Sequence, residues 1–596
     1  MQIYINNKLA ALKEGTSFEY VSENRLFSGS DGYSLTITFP LRDCPQNQAI
    51  FGHINRMDVS ALNVIFQCEI QDRNFYKYGC ITITEINEAE VKTQFLDGRS
   101  AQNFEKTLDK IYINEMNLGK PSITSKSNMT TTQAWGGHAI GMNAVALPWV
   151  NDASGNIQNK ANYANGLYSW DSETAGLSWQ PYLIYITKRI CEQIGYSYDF
   201  SAWEAKEEYK YLLICNTLPY SWYMPSYADA MPHWTIDEFF AKLEMFMGCE
   251  FNFDHRAKSV SFAFTKDILN AKSTVVLDEV IAEHSTEVKV ENDKCEYIEA
   301  KNIVYKDCNH NMWKFYSCDW FVKSWKDSAV KYATLNELLT SNKSNAVWNG
   351  NSHRGSNMNK VLYAADCDCY FVIRAVSRTL KGTNVFGHNV YDYQCVLQPI
   401  NLLGGRIVDD SDDATQEELE FVPAQIDFTD STYGRCLFLS FSGYDESEGT
   451  NIGVDRDSDY FYNSVTVYSL EAGEKEKEAE YYDRIYIGWW DGAITSNGKL
   501  PYPGVENIEI LDDWSNYSFK HFSLRLNDAT LNKTRIGYDI NPKQKTTFKF
   551  IADSIPDVRS LFIIRGKRYV CEKLTATFTE RGMSQLIKGF FYPING

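Results

Sequence analysis

Residues 33–39 read YSLTITF, and this two-residue alternation constrains the fold more than any other feature, because it returns along most of the chain. Successive side chains of a strand point to opposite faces. Tyr33, Leu35, Ile37 and Phe39 are therefore expected on a buried face, with Ser34, Thr36 and Thr38 on the other. Pro40 ends the run, because proline has no N–H to give to the ladder. Pro45 suits the first turn of a short helix. Ala49, Ile50 and Phe51 would pack that helix back onto the strand, and Gly52 would close it. His53 is the one catalytic candidate in the segment, but the sequence places no partner beside it, so a scaffold role is expected.

The same period recurs at Leu62, Val64, Phe66, Cys68 and Ile70, at Ile81 and Ile83, and in EVKTQFLDG. Several short strands with turn signals predict a barrel-like β domain over residues 1–100. Phe104, Leu108 and Ile111 then fall at helical spacing, and residues 117–178 read as long polar loops. The segment 101–234 is expected to be loop-rich α/β. Its helix starts near Pro181, carries Leu183, Ile186, Ile190 and Ile194 on one stripe and stops at Gly195; YKYLLICN follows as a buried strand. A third unit, 235–305, opens with the strongest helix signal. Thr235 and Glu238 form a capping box, Ile236, Phe239, Phe240, Leu243, Phe246 and Met247 form an apolar stripe, and Gly248 is the stop. The hairpin EFNFDHRAKSVSFAF comes next. Residues 306–475 read as mostly β with acidic loops, and 476–596 as a C-terminal β domain whose hairpin LFIIRGKRYVCEKL turns at Gly566. The expected fold is thus mainly β with α/β insertions, in several domains.

A chain of 596 residues with a net charge of −19 is a poor duplex nucleic-acid reader or polybasic membrane binder, since both need a basic face. Its 38 Tyr and 14 Trp fit large interfaces, and equally a carbohydrate binder. The 14 Cys are scattered, as expected of reduced, buried thiols in a protein made in a cytoplasm. The opening MQIYINNKLA lacks the basic and apolar regions of a signal peptide, and no apolar run approaches the ~18 residues of a membrane span.

No nucleotide-binding, zinc-protease or serine-hydrolase motif is present in the sequence. Cys367 and Cys369, with Cys308, His310 and Cys318 upstream, have irregular spacing for zinc; a shared inward strand face is the simpler expectation for the CxC pair. Asp455, Asp457 and Asp459 have the odd-position carboxylates of a calcium loop, but Tyr460 and Thr466 stand where its Gly and Glu belong. No catalytic, cofactor-binding or metal residues are therefore assigned.

The order of certain segments resembles the tail-tip, or baseplate hub, proteins of phages and prophages of Bacteroides-like bacteria. These segments are SLTITFPLRDCPQNQAIFGHINR, PYLIYITKRICEQIGYSYDF, YLLICNTLP, MPHWTIDEFFAKLEMFMGCEFNFDHRAKSVSF and FKFIADSIPDVRSLFIIRGKRYVCEKLTATFTERG with KGFFYPI. The resemblance implies barrel-like β domains and a homotrimer whose paired domains form a pseudo-sixfold ring around a channel. It implies a virion structural, tail-associated protein at the tail tip, assembled in the host cytoplasm and serving host attachment and genome ejection. The partners it implies are the tail tube, distal tail proteins, the tape-measure protein, distal fibres or receptor-binding proteins, DNA in transit and, indirectly, the bacterial cell envelope. It implies no enzyme and no cofactor. Some relatives carry a C-terminal lytic or fibre extension; Gly596 follows the hub-like hairpins directly, so no lytic role is expected. Two other readings stay open. One is a different tail component, such as a distal-tail or adhesin-bearing ring. The other is a carbohydrate-binding or carbohydrate-active protein using Trp135, Trp149 and Trp170.

Overall fold

The computed structural model describes residues 1–28, 32–59, 64–97, 111–120, 145–146, 150–151, 157–158, 161–164, 167–170, 179–216, 226–265, 267–268, 274–277, 280–281, 284–288, 303–305, 328–349, 360–367, 369–400, 417–423, 425–427, 436–438, 465–468, 478–481, 484–489, 508–510, 517–519, 524 and 544–594.

Strands dominate, distributed over several sheets with helices inserted between them. The largest sheet has thirteen strands: β1 (Gln2–Ile5), β2 (Lys8–Leu9), β3 (Ser17–Glu23), β4 (Gly32–Pro40), β5 (Ile65–Asp72), β6 (Phe75–Ile86), β7 (Glu90–Asp97), β8 (Thr274–Leu277), β9 (Ser285–Val288), β10 (Gln544–Ile551), β11 (Leu561–Ile564), β12 (Lys567–Thr579) and β13 (Gly582–Pro593). Its order is β9-β10-β13-β12-β3-β4-β7-β6-β5-β1-β2, with β11 also on β12 and β8 on β11. Hydrogen bonding thus ignores the expected division into separate first and last domains. β3 pairs antiparallel with β12 from Ser17↔Thr579 to Glu23↔Lys573. Rings from both segments share one core: Phe18 stacks on Phe578 at 5.4 Å, and Phe75 lies 4.6 Å from the same ring. The expected barrel does not close among the described residues. The path ends at β9 and β2, which do not pair, and the two-residue β2 offers only a short ladder.

β4 corrects one detail of the alternation. Its register on β7 shifts between Tyr33 and Thr36, where a bulge inserts a residue. Upstream of the bulge the faces therefore swap. Ser34 is fully buried and its Oγ accepts a hydrogen bond from Phe95 N at 2.8 Å, while Leu35 is 46% exposed. Ile37 and Phe39, beyond the bulge, are buried as expected. The short helix Pro45–Ile50 begins at its proline and Gly52 takes φ +66°. Phe51 and Ile50 pack inward, but Ala49 is exposed; buried Asn47 instead ties the helix to Ala11 and Pro40.

A second body packs around helices α1 (Leu183–Gln193) and α2 (Ile236–Met247). α2 has the predicted capping box: Glu238 N donates to Thr235 Oγ1, and Thr235 N donates to Glu238 Oε2 at 2.8 Å. Gly248 stops it at φ 61°, and all six residues of its predicted stripe are buried. Phe240 meets Phe251 and Phe253 of the following hairpin at 4.9 and 5.1 Å. Strand Leu212–Cys215 pairs with Ile485–Trp489, so distant sequence enters this core as well. A smaller third body sets helix Leu335–Asn342 against a five-stranded sheet.

Candidate functional site

Three features of the folded chain bear on function: a charged seam, a groove beside it and an arm. The seam joins the large sheet to the α2 body. Arg25, just after β3, has a side chain only 4% exposed. Its Nη2 donates to Glu244 Oε1 at 2.6 Å, and its Nη1 donates to Phe251 O and Asn252 Oδ1 at 3.2 and 3.1 Å. Glu250, 5% exposed, lies 3.7 Å from the same guanidinium and accepts from Arg559 at 2.9 Å. Next to Arg25, fully buried Asn24 donates to the carbonyls of Val558 and Cys571. Residues near 25, 250 and 559 are thereby locked together, a geometry in which each buried charge has a partner.

The groove, of about 1120 Å³, lies between β5 and β6 on one wall and segments 111–117, 193–196 and 255–258 on the other. Tyr196 OH and His255 Nδ1 hydrogen-bond at 2.8 Å, and Lys258 Nζ donates to the same hydroxyl at 3.3 Å. Tyr112 stacks on His233, ring centres 3.7 Å apart. Burial lowers the His233 pKa, against the opposing pull of Glu115 and Glu238. Burial, and then the charge of Glu69, raises that of Tyr78.

The arm is a long hairpin, Cys369–Thr383 with Asn389–Ile400. Its root packs into the third core through Phe371, Ile373, Cys395 and Leu397. Beyond Ala375 it runs on for roughly 30 Å at the rise of a strand, with bulges between Ala375 and Ser377 and between Leu380 and Gly382. Asn384 builds the tip. Its Oδ1 accepts from Phe386 N and His388 N at 3.0 and 2.9 Å, its own N–H donates to His388 O, and Gly387 turns the chain at φ +78°. This ordered turn holds Val385 95% and Phe386 81% exposed, the reverse of what apolar burial favours in an isolated chain.

Those of the residues singled out in the sequence that are described are not gathered into a site. His53 sits exposed in a turn at φ 59°, outside any cluster. Cys369 is buried in the third core, with Cys367 partly buried against it. Cys308, His310, Cys318, Asp455, Asp457, Asp459, Trp135 and Trp149 lie outside the described residues, and only the backbone of Trp170 is described, in a short strand pair. Among the described residues no group of three or more His, Cys, Asp or Glu could hold a metal ion. The ten described cysteines are free thiols, eight of them buried. No described helix is long and apolar enough to cross a membrane. Seam, groove and arm all escaped the sequence reading. Only the arm left a local trace, the apolar pair inside the turn residues of TNVFGHN.

No family model matches the chain, and no curated protein matches it. Among solved structures it is similar to the crystal structure of the 43 kDa tail protein of prophage MuSo2 from Shewanella oneidensis. The two are 8% identical; the match covers 99% of this chain and 96% of that one, at a TM-score of 0.30, too low to bear on fold or role.

Proposed function

We propose that the chain is a structural protein of a phage tail, acting as a hub at the tail tip. In this reading three copies form a ring that joins the tail tube to distal tip proteins and surrounds the channel for tape-measure protein and genome. The ring works by assembly, without turnover. The observation that carries the reading is the arm. A hairpin hydrogen-bonded to its tip and ending in exposed Val385 and Phe386 is a device for gripping a neighbour. The order of tail-tip-like segments along the sequence supports the same reading. So does the seam, which would keep the body stiff under load.

The test is the solution mass by light scattering on a sizing column. Closed rotational symmetry predicts a trimer of three 68.4 kDa chains, roughly 205 kDa. A strict monomer at every concentration, also in the presence of tail-tube protein, would sink the reading.

A further inference from the structure

We infer that the groove between the large sheet and the α1 body is a binding site for a neutral oligosaccharide. Five exposed carboxamides line it: Asn6 and Asn7 in the β1–β2 turn, Gln67 on β5, Asn117, and Gln193 at the end of α1. Asn6 Oδ1 accepts from Gln67 N at 3.1 Å, and the other four side chains make no hydrogen bond among the described residues. Each of those four offers donor and acceptor side by side, the pattern that a pair of neighbouring sugar hydroxyls satisfies, and each does so without charge. The aromatic component is Tyr112, whose ring is backed by His233 and thereby held as a fixed platform, with Tyr78 on the opposite wall. Apolar sugar faces stack on such rings.

Volume and charge narrow the ligand class. At about 1120 Å³ the groove exceeds the ~300–1,000 Å³ of a typical small-molecule pocket, and it is open, as an extended chain requires. Its charged lining balances Glu115 against Lys258, with His255 beside them, and so provides no cationic track for phosphate or sulfate polymers. The five amides come from positions 6, 7, 67, 117 and 193, brought together only by docking of the sheet on the α1 body. This inference does not depend on the ring proposed above.

The experiment uses the whole chain. A glycan array of neutral and acidic oligosaccharides is followed by calorimetric titration with the best neutral binder of four to six sugars, with heparin as the polyanion control. Saturable binding of a neutral oligosaccharide is expected, with heparin inert. The double variant N117A/Q193A should weaken binding roughly tenfold or more, since it removes two hydrogen-bonding groups, while its melting temperature stays that of the parent. Both residues are exposed; if that variant were nonetheless to misfold, N7A/Q67A on the facing wall provides the same test. A silent array, binding unchanged by both variants, or displacement of the sugar only by heparin would each overturn the assignment. So would saturable binding of peptides in place of glycans, which would give the groove to a protein partner.

Discussion

The seam and the arm invert the usual distribution of residues in opposite ways. At the seam two arginines and two glutamates converge, Arg25 and Glu250 almost wholly out of water. At the arm's tip a valine and a phenylalanine are held almost wholly in water. Both arrangements are costly in an isolated chain, but only one is compensated within it. The seam's partners lie within the chain: every charge meets an opposite one or a backbone group, so burial brings specificity of docking. The arm's tip is held, among the described residues, by its own turn around Asn384, and its apolar groups face water. Inward-facing charge thus ties one part of this protein to another, while the outward-facing apolar groups contribute little to its internal cohesion.

The contrast can be broken most forcefully at the seam. Arg25→Ala leaves Glu250 and Glu244 short of a buried cation and should cost about 3–5 kcal/mol in urea unfolding. Replacing Arg25, Glu244 and Glu250 together by apolar residues should recover much of that loss; equal loss in both variants would show that packing, not charge, makes the seam. A smaller effect is expected at the α2 cap, where Thr235→Ala removes one half of the box and should cost about 1 kcal/mol in the same assay. At the arm, V385D/F386D should change stability by less than about 0.5 kcal/mol, because both groups already face water. The same change should abolish self-association in light scattering. A large stability loss there would mean that the tip packs within the chain after all.

The pH dependence tests burial at single titratable groups. Burial pushes the Cys191 thiol up to about 12 from an ordinary value of 9.0. The folded state thus favours the protonated thiol, and its contribution is complete below about pH 9 and lost as pH rises toward 12. On the acid side burial lowers the His233 pKa from 6.5, so the unfolded state binds the proton more readily, and stability should decline as pH falls below that value. Melting temperatures across pH 5–11 check both signs. His233→Phe should remove the acid-side decline while retaining the ring stack.

What could be read in advance was local. α2 was legible in full, because a capping box, an apolar stripe and a terminal glycine all lie within fourteen residues. The turn at Gly566 was equally plain, with Arg565 and Gly566 both at positive φ between β11 and β12. The bulge in β4 was not, because YSLTITF alternates whether or not a partner strand slips, and the slip is decided by β7. The pairing of β3 with β12 was out of reach for the same reason: either strand alone reads as a half-buried strand of any sheet. The groove was the least legible feature, being five common polar residues without periodicity or motif.

The union of β3 with β12 also sets a timetable. A ribosome that has released β3 must add on the order of 540 further residues before β12 emerges, roughly half a minute to two minutes at ordinary elongation rates. During that interval one edge of β3 lacks its native neighbour, the kind of edge that recruits stray strands. The nascent chain therefore passes through a prolonged half-sheet stage, in which holdase chaperones should be its principal company, and slowing translation should lower the yield of soluble protein instead of raising it.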